Sequence, residues 1–241
     1  MKWNRLGSLL LGLSVLSLAA LGCVVSGRSA RVESQEEVIP RNGLESAEVE
    51  LRMGAGSLEI QSGTAEFMEG TFPYSEGTFA PQTDFVSTAS GTGAPVIEQE
   101  ELKNFKLNTE YQLTWDLRFS EEIPLDLYLA LGAGELYLDA AHLPLEDLVL
   151  DMGAGEATVI LGEPLQNDLR VSIQGGVGQL NVELPAEVGV RAEVAGGLGD
   201  IDVEGLVRDD GEYVTREEYE GPMIILDIEG GAGQINLSVS R

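Results

Sequence analysis

The stretch LDLYLALGAGELYLDA, residues 125–140, decides how this chain is to be read. Leu125, Leu127, Leu129 and Leu131 alternate with other residues as in a half-buried strand, and Leu136 and Leu138 resume the alternation after Gly132-Ala133-Gly134. The apolar positions are odd before the glycines and even after them. Because side chains alternate with a period of two, the Gly-x-Gly must shift the pleat by one residue. A bulge, a bent corner or an even-length hairpin loop would each do so. Glycine suits all three, since it accepts positive φ without a Cβ penalty.

The same unit recurs along the chain. Val49, Leu51 and Met53 precede Gly54-Ala55-Gly56, and Leu148, Leu150 and Met152 precede Gly153-Ala154-Gly155. Val171 and Ile173 lead to Gly176-Val177-Gly178, and Val190, Ala192 and Val194 to Gly197-Leu198-Gly199. Ile224, Leu226 and Ile228 lead to Gly231-Ala232-Gly233. Gly132 and Gly134 complete this set of corner glycines. Corners at 132, 153, 176 and 197 are separated by 21, 23 and 21 residues, while the longer gaps hold insertions at 61–124 and 205–222. Regular spacing of this kind belongs to repeat architectures whose units bury a face on one another. The expected fold is all-β: a parallel β-solenoid, β-helix-like, of six Gly-x-Gly units with a period of about 21–23 residues. An antiparallel β-meander of hairpins is the alternative. Pro124, Pro144, Pro164, Pro185 and Pro222 fall between units, as befits a residue that cannot donate to a ladder.

Residues 1–22 have the layout of a secretory signal peptide: Lys2 and Arg5, an apolar run from Leu6 to Leu21, then Gly22. The run is short for a membrane-spanning helix, which needs about 20 apolar residues. Ala20-Leu21-Gly22-Cys23 resembles a bacterial lipobox, in which the chain is cut before a cysteine that carries lipid. Cys23, the sole cysteine, is thus the expected lipid-attachment site, on an exported, extracytoplasmic chain anchored to the cell membrane. An uncleaved N-terminal helix is the alternative, and it too leaves the chain on the envelope. Residues 23–46 read as a lipid-anchored tether, 47–104 as an N-terminal β segment with an aromatic insertion, and 105–241 as the β-solenoid repeat domain.

The chain carries 14 Lys and Arg against 41 Asp and Glu, a net charge of −27. Nucleic acid and anionic lipid surfaces are therefore poor partners. Acidic residues are interleaved with Leu, Ile and Val, so the chain is expected to fold rather than remain an acidic disordered tail.

No catalytic constellation is evident. The one histidine, His142, sits in a loop sequence before Pro144, away from any nucleophile. One Cys and one His cannot build a zinc site, and no metal or cofactor is expected, although carboxylates and backbone carbonyls alone suffice for calcium. The run Gly196-Gly197-Leu198-Gly199-Asp200 is akin to a calcium-binding nonapeptide, but Ile201 and the period of 21–23 depart from it. Every Gly-x-Gly leads into a strand rather than a helix, and Glu135, Glu156 or Asp200 follows, which disfavours phosphate. The acidic pairs Glu121-Glu122, Glu146-Asp147, Asp209-Asp210 and Glu217-Glu218 fall in expected loops, where water keeps both members ionised. Phe67, Phe72, Tyr74, Phe79 and Phe85 crowd the first insertion, near Phe105, Tyr111, Trp115 and Phe119. They either cap one end of the stack or offer stacking surfaces to a sugar or a partner.

The runs Trp115–Phe119 and Ile123–Leu127, with Leu131–Leu136 and Leu148–Gly155, resemble the bacterial toast rack envelope family, related to the C-terminal β domain of LiaF-like proteins. Val49–Ile60 and Phe67–Phe72 are similar to its N-terminal segment. The resemblance implies a β-helix-like stack on a lipoprotein or membrane-anchored protein and supplies no catalytic residues. The expected function is a non-catalytic, lipid-anchored acidic surface module facing an unknown protein or cell-wall partner. An envelope-stress sensor or regulator of the LiaF-like type is the alternative, and a carbohydrate-active enzyme on a β-helix is a third.

Overall fold

The computed structural model describes residues 28–29, 32–75, 81–88, 90–99, 109–110, 113–163, 165–215 and 219–240. Cys23, the signal segment, Pro164, Glu217-Glu218, Phe79, Phe105 and Tyr111 lie outside the described residues. In chain order the strands are β1 (Arg28–Ser29), β2 (Val32–Ile39), β3 (Ser46–Ser62), β4 (Met68–Ser75), β5 (Gln82–Ser87), β6 (Thr92–Glu98), β7 (Thr109–Glu110) and β8 (Thr114–Phe119). They continue with β9 (Leu125–Ala140), β10 (Leu145–Leu161), β11 (Leu169–Leu184), β12 (Gly189–Glu204), β13 (Val207–Asp209), β14 (Glu212–Val214) and β15 (Met223–Val239). No helix occurs among the described residues.

The six glycine-punctuated units are the six long strands β3, β9, β10, β11, β12 and β15. Each runs unbroken through its Gly-x-Gly and pairs in parallel with its neighbours. A straight 16-residue strand would span about 50 Å, yet residues 141–144 alone join the end of β9 to the start of β10, which lies beside β9 in register. Four residues reach no more than about 15 Å. Each long strand must therefore fold back at its corner, so that its two arms face each other across the core. Closure is backed by hydrogen bonds at the turn: Leu125 N–H donates to Pro144 O at 3.0 Å and Leu143 N–H to Ala140 O at 3.2 Å. The parity shift is thus a bent corner within a parallel strand, which makes the fold a solenoid and not a meander.

Layers stack in the order β3-β9-β10-β11-β15-β12. The last unit, β15, is inserted between β11 and β12. Register places equivalent side chains in columns: Val49, Leu127, Leu148, Val171, Leu226 and Ala192 on the first arm, and Ile60, Leu138, Val159, Val182, Leu237 and Val203 on the second. All but Val203 are buried, and they share one continuous core. Position and volume compensate across the corner. Met152 faces inward before its glycines with Ala157 five residues on, whereas Gly196 and Gly230 are followed by Ile201 and Ile235. A Cβ on Gly230 would stand 2.7 Å from Ile235 Cδ1, and one on Gly196 3.1 Å from Ile201 Cδ1.

At the β3 end one further layer is split in two. β6 pairs with the first arm of β3 and β8 with the second, while β5, β4 and β2 extend the sheet antiparallel beyond them. Phe67, Phe72, Phe119 and Trp115 are buried there, with Phe67 edge-on to Phe119 at 5.7 Å and Phe72 edge-on to Trp115 at 5.6 Å. These aromatics line an end cap. Two assignments made from the sequence need correction. Residues 32–39 are a strand rather than part of a tether, hidden because an edge strand rich in Glu shows no apolar alternation. The division at 104 marks no boundary either, since β3 belongs to the same stack as β9.

At the β12 end the insertion forms a hairpin. Asp210 (φ 45°) and Gly211 (φ 100°) turn β13 into β14, the pairing of positive-φ residues typical of a two-residue type I′ loop. β14 then pairs antiparallel with β12 at Arg191 and Ala192.

Candidate interaction surface

Each corner has the same construction. Its second glycine carries positive φ, for example +135° at Gly155. A Cβ at Gly155 would lie 1.8 Å from Gly134 O, and one at Gly178 1.7 Å from Gly155 O. The first glycines are also crowded: a Cβ at Gly132 would stand 2.4 Å from Gly54 O, at Gly153 2.3 Å from Gly132 O and at Gly176 2.1 Å from Gly153 O. No side chain fits such stacked corners without moving the backbone.

The corners form a ridge along the stack whose apex carries Ala55, Ala133, Ala154 and Val177, then half-buried Ala232, and last Leu198, which is 78% exposed. Where the stack begins, Gln99 closes the corner: its Oε1 accepts hydrogen bonds from Gly54 N–H at 2.7 Å and Ala55 N–H at 3.1 Å. Behind the ridge in the last layers lies a cavity of about 50 Å³ between glycines and side chains such as Met152, Ile173, Leu180 and Ile235. It is apolar and half open to solvent, with water-accessible room for only a few water molecules.

Outside the stack, register turns sequence into straight lines of charge. Glu48, Asp126, Asp147 and Arg170 stand side by side on successive strands of the first arm. Partial burial, reinforced by Asp147, Glu146 and Glu48, raises the Asp126 carboxyl above the usual carboxylate range. Burial and the carboxylates of Asp126, Asp147 and Glu48 raise the Tyr128 phenol. The second arm offers Glu135, Glu156, Gln179, Gln234 and Asp200 in one column. Beside it a polar ladder ties three layers: Asn236 Nδ2 donates to Asn181 Oδ1 at 2.7 Å, and Asn181 Nδ2 points to Thr158 Oγ1 at 3.5 Å.

His142 is exposed in the turn between β9 and β10. Glu121 accepts from Ser62 Oγ at 2.9 Å, Glu122 pairs with Arg41, and Glu146 accepts from Asn167 Nδ2 at 3.0 Å. Asp209 and Asp210 are exposed at the hairpin tip. Among the described residues no three His, Cys, Asp or Glu side chains are arranged to hold a metal ion.

The family model described as the N-terminal domain of toast_rack, DUF2154, matches residues 28–183. The chain belongs to the toast_rack family. In this toast_rack chain the matched residues run from before β2 through nearly all of β11, and so take in the end cap and the first four long layers. A crystal structure of a candidate cell adhesion protein from Clostridium sporogenes ATCC 15579 is similar over 87% of the chain and 100% of its own length, at 27% identity and a TM-score of 0.82. A candidate lipid binding protein from Parabacteroides distasonis ATCC 8503 aligns with 89% of the chain and 99% of its own length, at 13% identity and a TM-score of 0.32. A candidate adhesin from Bacteroides fragilis NCTC 9343 gives 87%, 99%, 10% and 0.30 for the same measures. These last two superpose too loosely to bear on this chain. No curated protein sequence matches it.

Proposed function

We propose that this toast_rack protein is a non-catalytic module of the bacterial cell surface, exported, anchored by lipid on Cys23, and presenting its stacked acidic faces to a protein or cell-wall partner. The observation that carries this reading is the alignment of the outer columns. Strands pair in register at the spacing of a sheet, about 4.8 Å, so each face repeats a flat row of carboxylates and amides over several layers. Repeat stacks of this kind provide long surfaces rather than closed pockets. The likeness to a candidate cell adhesion protein over nearly the whole fold supports the same role. Among the described residues, His142 is exposed in the turn between β9 and β10.

The test has two arms. Palmitate labelling and globomycin-sensitive processing are expected in the native chain and lost in Cys23→Ala; labelling unchanged by that substitution would reject the anchor. Proximity labelling in the intact envelope is expected to mark neighbours outside the cytoplasmic membrane. Marking confined to cytoplasmic proteins would reject the surface role.

A further inference from the structure

β12 closes the stack, and its two arms are finished differently. On the first arm β14 adds an antiparallel strand at Arg191 and Ala192, Thr215 N–H donates to Val190 O at 3.1 Å, and Glu212 meets Arg191 at 3.5 Å. On the second arm, Leu198–Glu204 pairs with β15 on one side, and no strand pairs with its other side among the described residues. The inner column ends uncovered there: Ile201 is 39% exposed, whereas its register partner Ile235 is 6% exposed. Asp200, Asp202 and Glu204 alternate with these apolar residues and are all exposed.

An unpaired strand edge is a template for strand addition, with specificity set by alternate side chains. The protein itself shows how this edge is completed: an antiparallel strand whose charge opposes that of β12, Glu212 against Arg191. On the open arm the charge to be matched is negative. We propose that Leu198–Glu204 accepts an extended segment of another protein in which Lys or Arg alternates with apolar residues. The cations would face Asp200, Asp202 and Glu204, and the apolar side chains would cover Ile201 and Val203. A second copy of the chain is a poor occupant, because two such edges set antiparallel bring Asp202 opposite Asp202 and Asp200 opposite Glu204, and like charges directly opposed destabilise a pair. This inference rests on the reading of the chain as a surface module and specifies the partner's chemistry.

The probe is a seven-residue fluorescent peptide of alternating Lys and Val, titrated into the full chain by anisotropy. A form N-methylated on alternate amides serves as the backbone control. Saturable binding is expected, with hydrogen-exchange protection gained at 198–204. N-methylation, or the pair Asp200→Lys with Asp202→Lys, is expected to weaken binding at least about tenfold, whereas Glu163→Lys with Glu187→Lys, in exposed turns away from this edge, changes it by less than about threefold. Both pairs alter exposed residues, and circular dichroism checks that the sheet is retained. Equal weakening by both pairs, or indifference to N-methylation, would reduce the effect to diffuse attraction and overturn the proposal. So would absence of saturable binding, or a dimer seen by sedimentation that dissociates in the Asp200→Lys, Asp202→Lys chain. Export and the labelling of Cys23 are measured separately, so failure here leaves the surface-module reading standing.

Discussion

The two ends of the stack solve one problem to different degrees. A parallel solenoid exposes an unpaired strand and an uncovered core column at each end, and both invite aggregation. At the β3 end the chain spends a long insertion on a split layer, antiparallel strands beyond it, and four buried aromatics. Even the corner amides of Gly54 and Ala55 are received by Gln99. At the β12 end a short hairpin covers only the first arm, and the second arm is left with carboxylates. The difference teaches that an end can be closed by packing or guarded by charge, and that only the guarded kind keeps the capacity to pair.

The largest effects are expected where neither end helps. Gly155→Ala sets a Cβ against Gly134 O in the middle of the stack and is expected to cost about 4 kcal/mol or more, measured by urea denaturation. Gly199→Ala makes the same clash against Gly233 O, but β12 is paired on one side only along that arm and can shift, so about half that loss is expected. Equal losses would show that the open end is as rigid as the centre. Next comes the cap itself: Phe119→Ala is expected to cost about 3–5 kcal/mol, whereas Ile201→Ala at the open end costs about 1 kcal/mol, in proportion to the area each withdraws from water. Gln99→Ala removes two hydrogen bonds from an accessible corner and is expected to cost about 1 kcal/mol in the same measurement.

The smallest effect concerns the charge columns, acidic at Glu48, Asp126 and Asp147 near the closed end and basic at Arg170 and Arg191 further on. The folded-state pKa of Asp126 is raised, so between its unfolded and folded values the native state binds the extra proton, and stability falls as pH rises through that window. Asp126→Asn is therefore expected to stabilise the chain by about 0.5 kcal/mol at neutral pH, with the gain vanishing in acid below the unfolded value. Melting curves across pH would show a constant difference instead if neither burial nor the neighbouring carboxylates disfavour the charged form of Asp126.

Much of this was legible in the residues. Alternation with a period of two gave the arms, and the change of parity at residues such as Leu131 and Leu136 required a one-residue shift of the pleat, which a bulge, a bent corner or a hairpin loop could each supply until the parallel register selected the corner. Layer order was not legible, because the pattern around Gly231 and Gly233 is the same as that around Gly197 and Gly199; units that look alike cannot announce their place in a stack. β2 escaped notice because an exposed edge needs no apolar side chains. Gln99 could not be anticipated, since a polar side chain 45 residues from the amides it serves leaves no periodic trace. The open arm of β12 did leave a signal in Leu198, a large apolar residue at an apex held mostly by alanine, followed by Asp200 and Asp202.

The insertion of β15 between β11 and β12 has a consequence for how the molecule is made. During synthesis from the N-terminus, layers can be laid down one after another as far as β11, but β12 then emerges with its neighbour not yet translated. It must wait as an unattached segment until Met223–Val239 slides into the vacant slot, so the two final layers lock together in one late step. Pulse-labelled amides of β12 and β15 should acquire protection simultaneously, after those of β9 and β10.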